Sequence, residues 1–552
     1  MKNLQPGSRG QRARIMLAGA VLSALLAAPV AGSAANLSNS QFHIRAVNSE
    51  QNSFSAIRPF FEGKKTPAPT APPTVGPTTP PTTSPVKPPT AEPTAPVTTA
   101  PPGPVDPKPL NTAMTINTTP TNCAASDFSL ELTLKPSDTT VATIDWGDGT
   151  SVTPVSKSGL YKHSYATNGS YNLDLGGEFY GITRSSSANP NANNCIQSVD
   201  HFGSGTGLTS LQFMLSGATN LRSVAAPPSS VTDLRAFLQN TTSFNGDVSN
   251  WNLSNVVNTA SMFKGASSFN QDLSKWNVSK VTSFASMFEG ARSFNGNIGN
   301  WTTSSATSMG YMFQGATKFN QDISNWDTSK VTSLISMFNG AGSFDQPVGK
   351  WDTSSLRATS SMFRLASSFN QDLSSWDMSR VTDFSQMFLG ATKFNGNVST
   401  WTTASATTMS SMFSSAAVFN QSLTGWNVSK VTNFSGMFLD AKSFNSDVST
   451  WRPVAATTMS SMFTGASSFN QDVSGWTVGT VQDFSSMFSS ATSFNQPLST
   501  WNTANATNMS SMFKKATVFN QNISRWNVGK VTNKTDFGTD SALTTANKPR
   551  GF

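Results

Sequence analysis

The chain is poor in the residues from which active centres are built. Its 552 residues contain two cysteines, Cys123 and Cys195, and three histidines, His43, His163 and His201, with no phosphate-cradling glycine loop and no cluster of metal-ligand types. Hydrolysis and group transfer need a nucleophile with its base, or two carboxylates in unlike environments. Neither constellation is present, so the chain is expected to be non-enzymatic, with no cofactor and no metal. Charge is also scarce, at 12% of residues against ~25% in ordinary soluble proteins. No Lys/Arg cluster is interleaved with aromatics, which argues against nucleic acid as a partner. The formal charge of +8 is concentrated at one end, where Lys2, Arg9, Arg12 and Arg14 precede the first acid, Glu50.

Long apolar runs are missing too. The run from Ile15 to Ala28 falls short of the ~20 residues that span a bilayer. With cations before it and the small residues Ala31, Gly32, Ser33, Ala34 and Ala35 after it, residues 1–35 are read as a secretory signal peptide, leaving no membrane span after cleavage. Residues 36–65 form a polar segment of unknown structure. Residues 66–109 are mostly Pro and Thr and read as a semi-rigid spacer in extended polyproline II. An exported chain meets an oxidising compartment, so Cys123 and Cys195 are expected to be bonded to each other.

Residues 110–200 change character. Phe128, Leu130, Leu132 and Leu134 alternate with polar neighbours, as do Tyr171, Leu173 and Leu175, which is the period of half-buried strands. The segment Trp146-Gly147-Asp148-Gly149-Thr150, followed by His163-Ser164-Tyr165 and Gly169-Ser170-Tyr171, resembles the PKD-type β-sandwich domain. That resemblance implies an immunoglobulin-like extracellular spacer without activity of its own. Asp148 and His163 are read as a turn aspartate and a packed histidine rather than as a metal or acid–base pair.

The rest is a repeat. All but one of the 13 tryptophans fall in one phase, at 251, 276, 301, 326, 351, 376, 401, 426, 451, 476, 501 and 526, a period of 25 residues. Phe244, Phe269 and Phe294 onward to Phe519 keep step, as do the pairs from Met262-Phe263 to Met512-Phe513. A period held without insertion means that each residue stacks on its counterpart in the next turn. Trp276 and Val278 share one side of an expected short strand, with the indoles directed into the core. Phe384, Met387, Phe388 and Ala391 stand at i, i+3, i+4 and i+7, the face of an expected short helix. The fold class is therefore an α/β repeat: a leucine-rich-repeat-like curved solenoid over 208–535, preceded by a small β-sandwich and closed by a cap at 536–552. Helices are wider than the ~4.8 Å between strands, which would place the strands on a concave side.

The asparagines from Asn245 and Asn270 to Asn520, with Asp345 the one substitution, read as a ladder bonding successive turns. Asp272, Asp322, Asp372 and Asp472 share a phase that Asn297, Pro347 and Ser422 interrupt, which favours a solvated loop over a calcium column. A threonine row for ice is broken in the same way, because Val278, Met378 and Val428 interrupt Thr303, Thr328, Thr353 and Thr403. Turns beginning Asn277-Val278-Ser279-Lys280 alternate with Thr-rich ones such as Thr402-Thr403-Ala404, the trace of a 50-residue duplication.

The pattern Trp276-x-Val278-x-x-Val281-Thr282-x-Phe284-x-x-Met287-Phe288-x-x-Ala291-x-x-Phe294 resembles the BspA-type leucine-rich repeat, and more closely its 25-residue variant in bacterial surface proteins and lipoproteins. No lipoprotein cysteine is present, and the proline after the strand is absent. The resemblance implies a secreted or cell-surface, adhesin-like binding protein whose concave face meets a macromolecule, and the partner is expected to be a host matrix or cell-surface protein, or a polysaccharide, with the chain itself monomeric. If the indoles are buried, the exposed candidates are the residues just after them: Asn277, Thr302, Asp327, Asp352, Asp377, Thr402, Asn427, Arg452, Thr477, Asn502 and Asn527. The alternative is a polysaccharide-binding accessory protein of a secreted degradative system.

Overall fold

The computed structural model describes residues 111–118, 128–134, 142–177, 179–183, 192–203 and 207–552. The expected signal peptide, residues 36–65, the Pro/Thr spacer and Cys123 lie outside the described residues. Cys195 is disulfide-bonded.

Residues 112–201 form two sheets. The strands are β1 (Thr112–Thr118), β2 (Phe128–Leu134), β3 (Ala142–Asp145), β4 (Thr153–Val155), β5 (Gly159–His163), β6 (Gly169–Gly176), β7 (Phe179–Thr183) and β8 (Ile196–His201), and Ser223–Val224 adds β9. One sheet runs β4-β3-β6-β1-β8-β9 and the other β5-β2-β7. Met114, Ile116, Leu130, Leu132, Ile144, Leu173 and Leu175 are buried between them, because alternate residues of a strand face the same way. All pairings are antiparallel except β8 with β9, which is parallel.

Both sheets run on into the repeats. β9 is contributed by the first turns of the stack, and Gly181 of β7 bridges Ser210 in parallel. From Ser210 a column of single parallel bridges climbs through Asp233, Asn258 and Ser283 to Asn533, one residue per turn. The cores merge likewise, from Met114 to Leu543.

Within each turn the expected strand at Trp276 and Val278 is absent; the only paired residue there is the bridging one, such as Ser283. The expected helix is absent as well. No α-helix occurs among the described residues. Phe384, Met387, Phe388 and Ala391 are all fully buried as their spacing requires, but on a run of tight turns. Met287, Glu289 and Ala291 donate their N–H groups three residues back, to Phe284, Ser286 and Phe288. The N–H groups between them reach forward to the next turn, Phe284 to Ser308, Ser286 to Gly310, Phe288 to Met312 and Gly290 to Gln314. Left-handed residues at Ser286 (φ 56°) and Gly290 (φ 72°) make this alternation possible.

Packing shows why a helix does not fit. Helices side by side need 8–10 Å, whereas Phe288 and Phe313, on that side of the stack, are 5.7 Å apart and Phe338 and Phe363 5.5 Å. The tryptophan column opposite repeats at 5.9–6.4 Å. Without helices among the described residues, the width difference behind the expected concave face is missing. The candidate residues form one exposed row along the stack, its side wall.

Three aromatic columns fill the interior. Trp276 stacks on Trp301 at 6.2 Å, Phe288 on Phe313, and Phe294 on Phe319 at 6.0 Å, while Phe288 and Phe294 stack within a turn at 3.9 Å. Stacked pairs of this kind contribute about 0.5–1.5 kcal/mol each beyond their area burial. From Trp276 to Trp526 each indole N–H donates to a carbonyl of the preceding turn, as Trp401 does to Leu373 at 2.8 Å. A buried ring that must also satisfy a carbonyl has to be tryptophan rather than phenylalanine.

The stack closes later than its sequence pattern. Residues 536–540 still follow the repeat path, with Phe513 N–H donating to the Phe537 carbonyl and Asp536 and Asp540 left-handed. Residues 541–552 then fold over the end: Asn547 donates to Asn520 O at 2.9 Å, and Phe552 packs edge-on against Phe537 at 4.6 Å.

Candidate binding face

All eleven candidates, Asn277 through Asn527, are exposed and stand in one row, because each follows a buried tryptophan and, up to Asn502, precedes a buried residue. Their chemistry has a structural component that the sequence reading missed. Asp327 Oδ1 accepts the Ser329 N–H at 3.0 Å, Asp352 that of Ser354 at 2.9 Å, and Asp377 that of Ser379 at 2.9 Å. Asn277, Asn427, Asn502 and Asn527 make the same bond two residues on. This is the Asx turn, which asks for a short side chain ending in an acceptor. The hydrogen bonds from serine hold all three carboxyls below the usual range. Lys330 adds to this at Asp327 and Arg380 at Asp377, while Asp327 and Asp377 oppose it at Asp352.

The aspartate phase suspected of binding calcium has the same role. Asp272, Asp322, Asp372 and Asp472 each accept the N–H of the serine two residues on. Among the described residues no group of three His, Cys, Asp or Glu side chains is placed to hold a metal. The threonines weighed as an ice-binding row are buried: Thr303 and Thr328 donate to carbonyls of the next turn at 2.9 and 2.8 Å.

Two further exposed columns follow the candidate position in each turn. One is threonine-rich, including Thr282, Thr307, Thr332, Thr382, Thr407 and Thr432; Thr307 Oγ1 donates to the Thr282 carbonyl at 3.2 Å. Its sequence signal was the polar residue between the buried Val281 and Phe284. The other carries a cation in alternate turns, at Lys280, Lys330, Arg380, Lys430 and Lys530, with Thr480 in the remaining place. The 50-residue duplication produces this alternation. Lys280 and Lys530 reach the asparagines one turn back, Asn255 and Asn505, at 2.8 Å. None of these five cations is in an ion pair among the described residues.

The asparagine ladder is made as expected. Asn295 N–H donates to Asn270 Oδ1 at 2.7 Å, Asn320 to Asn295 at 2.8 Å, and the rungs continue to Asn520. Only the side-chain oxygen is needed, which is why Asp345 fits: it accepts from Asn370 at 2.9 Å.

In the sandwich, Asp148 and His163 meet at 2.7 Å, with His163 stacked on Trp146 at 4.8 Å. Burial works against ionisation of Asp148, but the hydrogen bonds from Thr150 and His163 outweigh it and hold the carboxyl down at about 2. Burial, with Asp148 nearby, pushes the Tyr165 phenol up. Tyr165 donates to the Trp146 carbonyl at 3.1 Å, and Asp148 accepts both the N–H and the hydroxyl of Thr150. Every polar group of this cluster thus braces the turn.

These features define a repeat protein with strands in its N-terminal sheets and no helix long and apolar enough to cross a membrane among the described residues. A family model described as Mycoplasma protein of unknown function, DUF285, matches four times, at residues 209–316, 295–391, 370–458 and 447–548, and the chain belongs to that family. No curated protein and no solved structure matches it.

Proposed function

We propose that the chain is a secreted or cell-surface binding protein, adhesin-like and non-enzymatic, whose repeat stack presents a side wall to a macromolecule. The finer likenesses belong to this reading: the 25-residue repeat to the BspA-type surface-protein repeat, and the Trp146–Tyr171 region to the PKD-type sandwich. The observation that carries it is the continuity of the wall. Exposed side chains, Asn, Asp or Thr in every turn except at Arg452, recur in register from Asn277 to Asn527. Many weak polar contacts at fixed spacing add up when one partner engages them together.

The polysaccharide reading has its own support. Cations in alternate turns would recur every ~10 Å at sheet spacing, an interval suited to a linear anionic polymer. The test is binding of the full chain to arrays of matrix proteins and polysaccharides, beside two charge variants. Asp327→Asn, Asp352→Asn and Asp377→Asn together keep every Asx acceptor. Lys280→Ser, Lys330→Ser, Arg380→Ser and Lys430→Ser together copy Ser305, Ser355 and Ser405 of the intervening turns. Protein-selective binding lost in the first variant supports the adhesin, and polyanion-selective binding lost in the second supports the alternative. Binding unchanged in both removes the wall as the site.

A further inference from the structure

At its junction with the sandwich the stack is continued by β7 and β9. The opposite end, at residues 534–540, has no such partner. In the tight-turn run the turn before it sends four N–H groups forward, Met509 to Asn533 O, Ser511 to Thr535 O, Phe513 to Phe537 O and Lys515 to Thr539 O. The matching donors of the last turn are Lys534, Asp536, Gly538 and Asp540, and none of their N–H groups donates a hydrogen bond among the described residues. Every carbonyl from 533 to 539 is already taken, by the turn before or by the N–H three residues on. Asn547 and Phe552 cover the ladder and the core at this end, and neither accepts from the open N–H groups.

The edge is therefore donor-only. An ordinary edge strand offers donors and acceptors in alternation and invites another strand, but here a strand, or the same end of a second copy, would find nothing to donate to. Peptide dipoles aligned along the stack also place their positive pole here, as at a helix N-terminus. Acids stabilise a pole of that sign, yet this end is basic. No Lys or Arg stands between Arg452 and Lys514, whereas residues 514–552 hold seven, against the two acids Asp536 and Asp540. Asp536 is paired with Lys514 at 2.7 Å, and the other cations form no ion pair among the described residues. Lys534 is exposed where every earlier turn, from Leu234 to Met509, buries its residue. Its ammonium donates to the Gly551 carbonyl, which places Arg550 beside the same edge. Lys548 lies against Gly538, its Cε 3.6 Å from where a Cβ there would stand. A polar cap could use charge of either sign, but open donors and unpaired cations together call for an anion.

We propose that this end of the stack is a binding edge for tetrahedral oxyanions, sulfate or phosphate groups that are free or esterified on a polymer. The N–H groups of Lys534, Asp536, Gly538 and Asp540 donate to the anion oxygens, as turn N–H groups do in anion-binding nests. Lys534, Lys548 and Arg550 supply the charge that strengthens those bonds. The site is independent of the side-wall reading, since none of its residues belongs to the candidate row.

Hydrogen exchange and calorimetry on the full chain at low ionic strength test it, with sodium sulfate, sodium phosphate, dextran sulfate and unsubstituted dextran as probes. Exchange at residues 534–540 is expected to slow with the anions and to be unmoved by unsubstituted dextran. Lys534→Gln with Arg550→Gln, both at exposed positions, should weaken anion binding about tenfold or more, the worth of a charge-assisted hydrogen bond, with the melting temperature unchanged. Lys280→Ser, on the side wall, should leave the protection at 534–540 as in the parent. Protection by sulfate or phosphate alone marks the free ion as sufficient, and protection by dextran sulfate only marks an esterified polymer as the source. Anion binding that leaves exchange at 534–540 unchanged, protection by unsubstituted dextran as well, or affinity indifferent to the paired substitution overturns the proposal.

Discussion

Gly340→Ala tests the backbone path of the turns. Gly340 has φ 73°, and a Cβ there would lie 3.7 Å from the Gly315 backbone, an ordinary contact. The substitution therefore introduces no clash, only the left-handed penalty of about 1–2 kcal/mol for an L-residue. Alanine restricts the unfolded chain more than glycine does, which offsets about 0.4–1 kcal/mol. The net expectation is a loss of about 1 kcal/mol. In later turns the same place is held by Ser415 and Lys515, at φ 57° and 58°. Glycine at either should give a gain of about 0.5–1 kcal/mol by the same reasoning in reverse. Four turns separate them, ~20 Å at sheet spacing, so the two gains should add. Urea unfolding followed by emission of the buried tryptophans reads the effect, comparing midpoints because long repeat arrays depart from two-state behaviour. A neutral Gly340→Ala, or a Ser415→Gly that lowers the midpoint, would refute the alternating path and reopen the case for a helix.

Three further outcomes follow from particular side chains. Thr353 Oγ1 is buried without a partner, and valine fills the same place at 278, 428 and 478; Thr353→Val should raise stability by about 1 kcal/mol, whereas Thr328→Val, which breaks a 2.8 Å bond to Asp352 O, should lower it. Asn395 Oδ1 accepts the Asn420 N–H at 2.9 Å, so Asn395→Asp should stay within about 0.5 kcal/mol of the parent and Asn395→Leu should lose about 1 kcal/mol in the same titration; equal losses would contradict an acceptor-only ladder. The folded Asp148 carboxyl, at about 2, lies below its free value of 3.8. Its contribution to stability is complete above about pH 4 and is lost as pH falls through about 2, so melting temperatures followed downward in pH should fall more steeply for the parent than for Asp148→Asn, and parallel curves would remove the linkage.

How much of this was legible in the sequence depended on which feature had a period. The buried positions did: Trp276, Phe288 and Phe294 recur every 25 residues, and the structure buries each column. The ladder did too, because Asn270 and its successors hold one phase. The helix was misread because a helix and a chain of tight turns bury the same spacing, as at Phe384, Met387, Phe388 and Ala391. The discriminating signal lay in Gly265, Gly290, Gly315 and Gly340, four residues after the left-handed Ser261, Ser286, Tyr311 and Ser336. Those glycines are the second of two left-handed points per turn. Exposure of the row from Asn277 to Asn527 was legible, but the turns that its asparagines and aspartates cap were not. The junction had no period to betray it, since it rests on contacts such as Ser210 N–H to Tyr180 O at 3.2 Å.

That junction changes what the sandwich does. A spacer would leave the stack free to move, but here β9 and the Gly181–Ser210 bridge carry both sheets into the first turns. In the tight-turn run every forward bond leaves the N–H side of one turn for the C=O side of the next, so interior turns are interchangeable and only the ends need a special partner. The sandwich serves one end, and Asn547 and Phe552 close the other. Held at both ends, the side wall keeps a fixed spacing between its exposed columns. A partner that matches this spacing loses little freedom in ordering the surface it meets, which is the condition under which individually weak polar contacts sum to useful affinity.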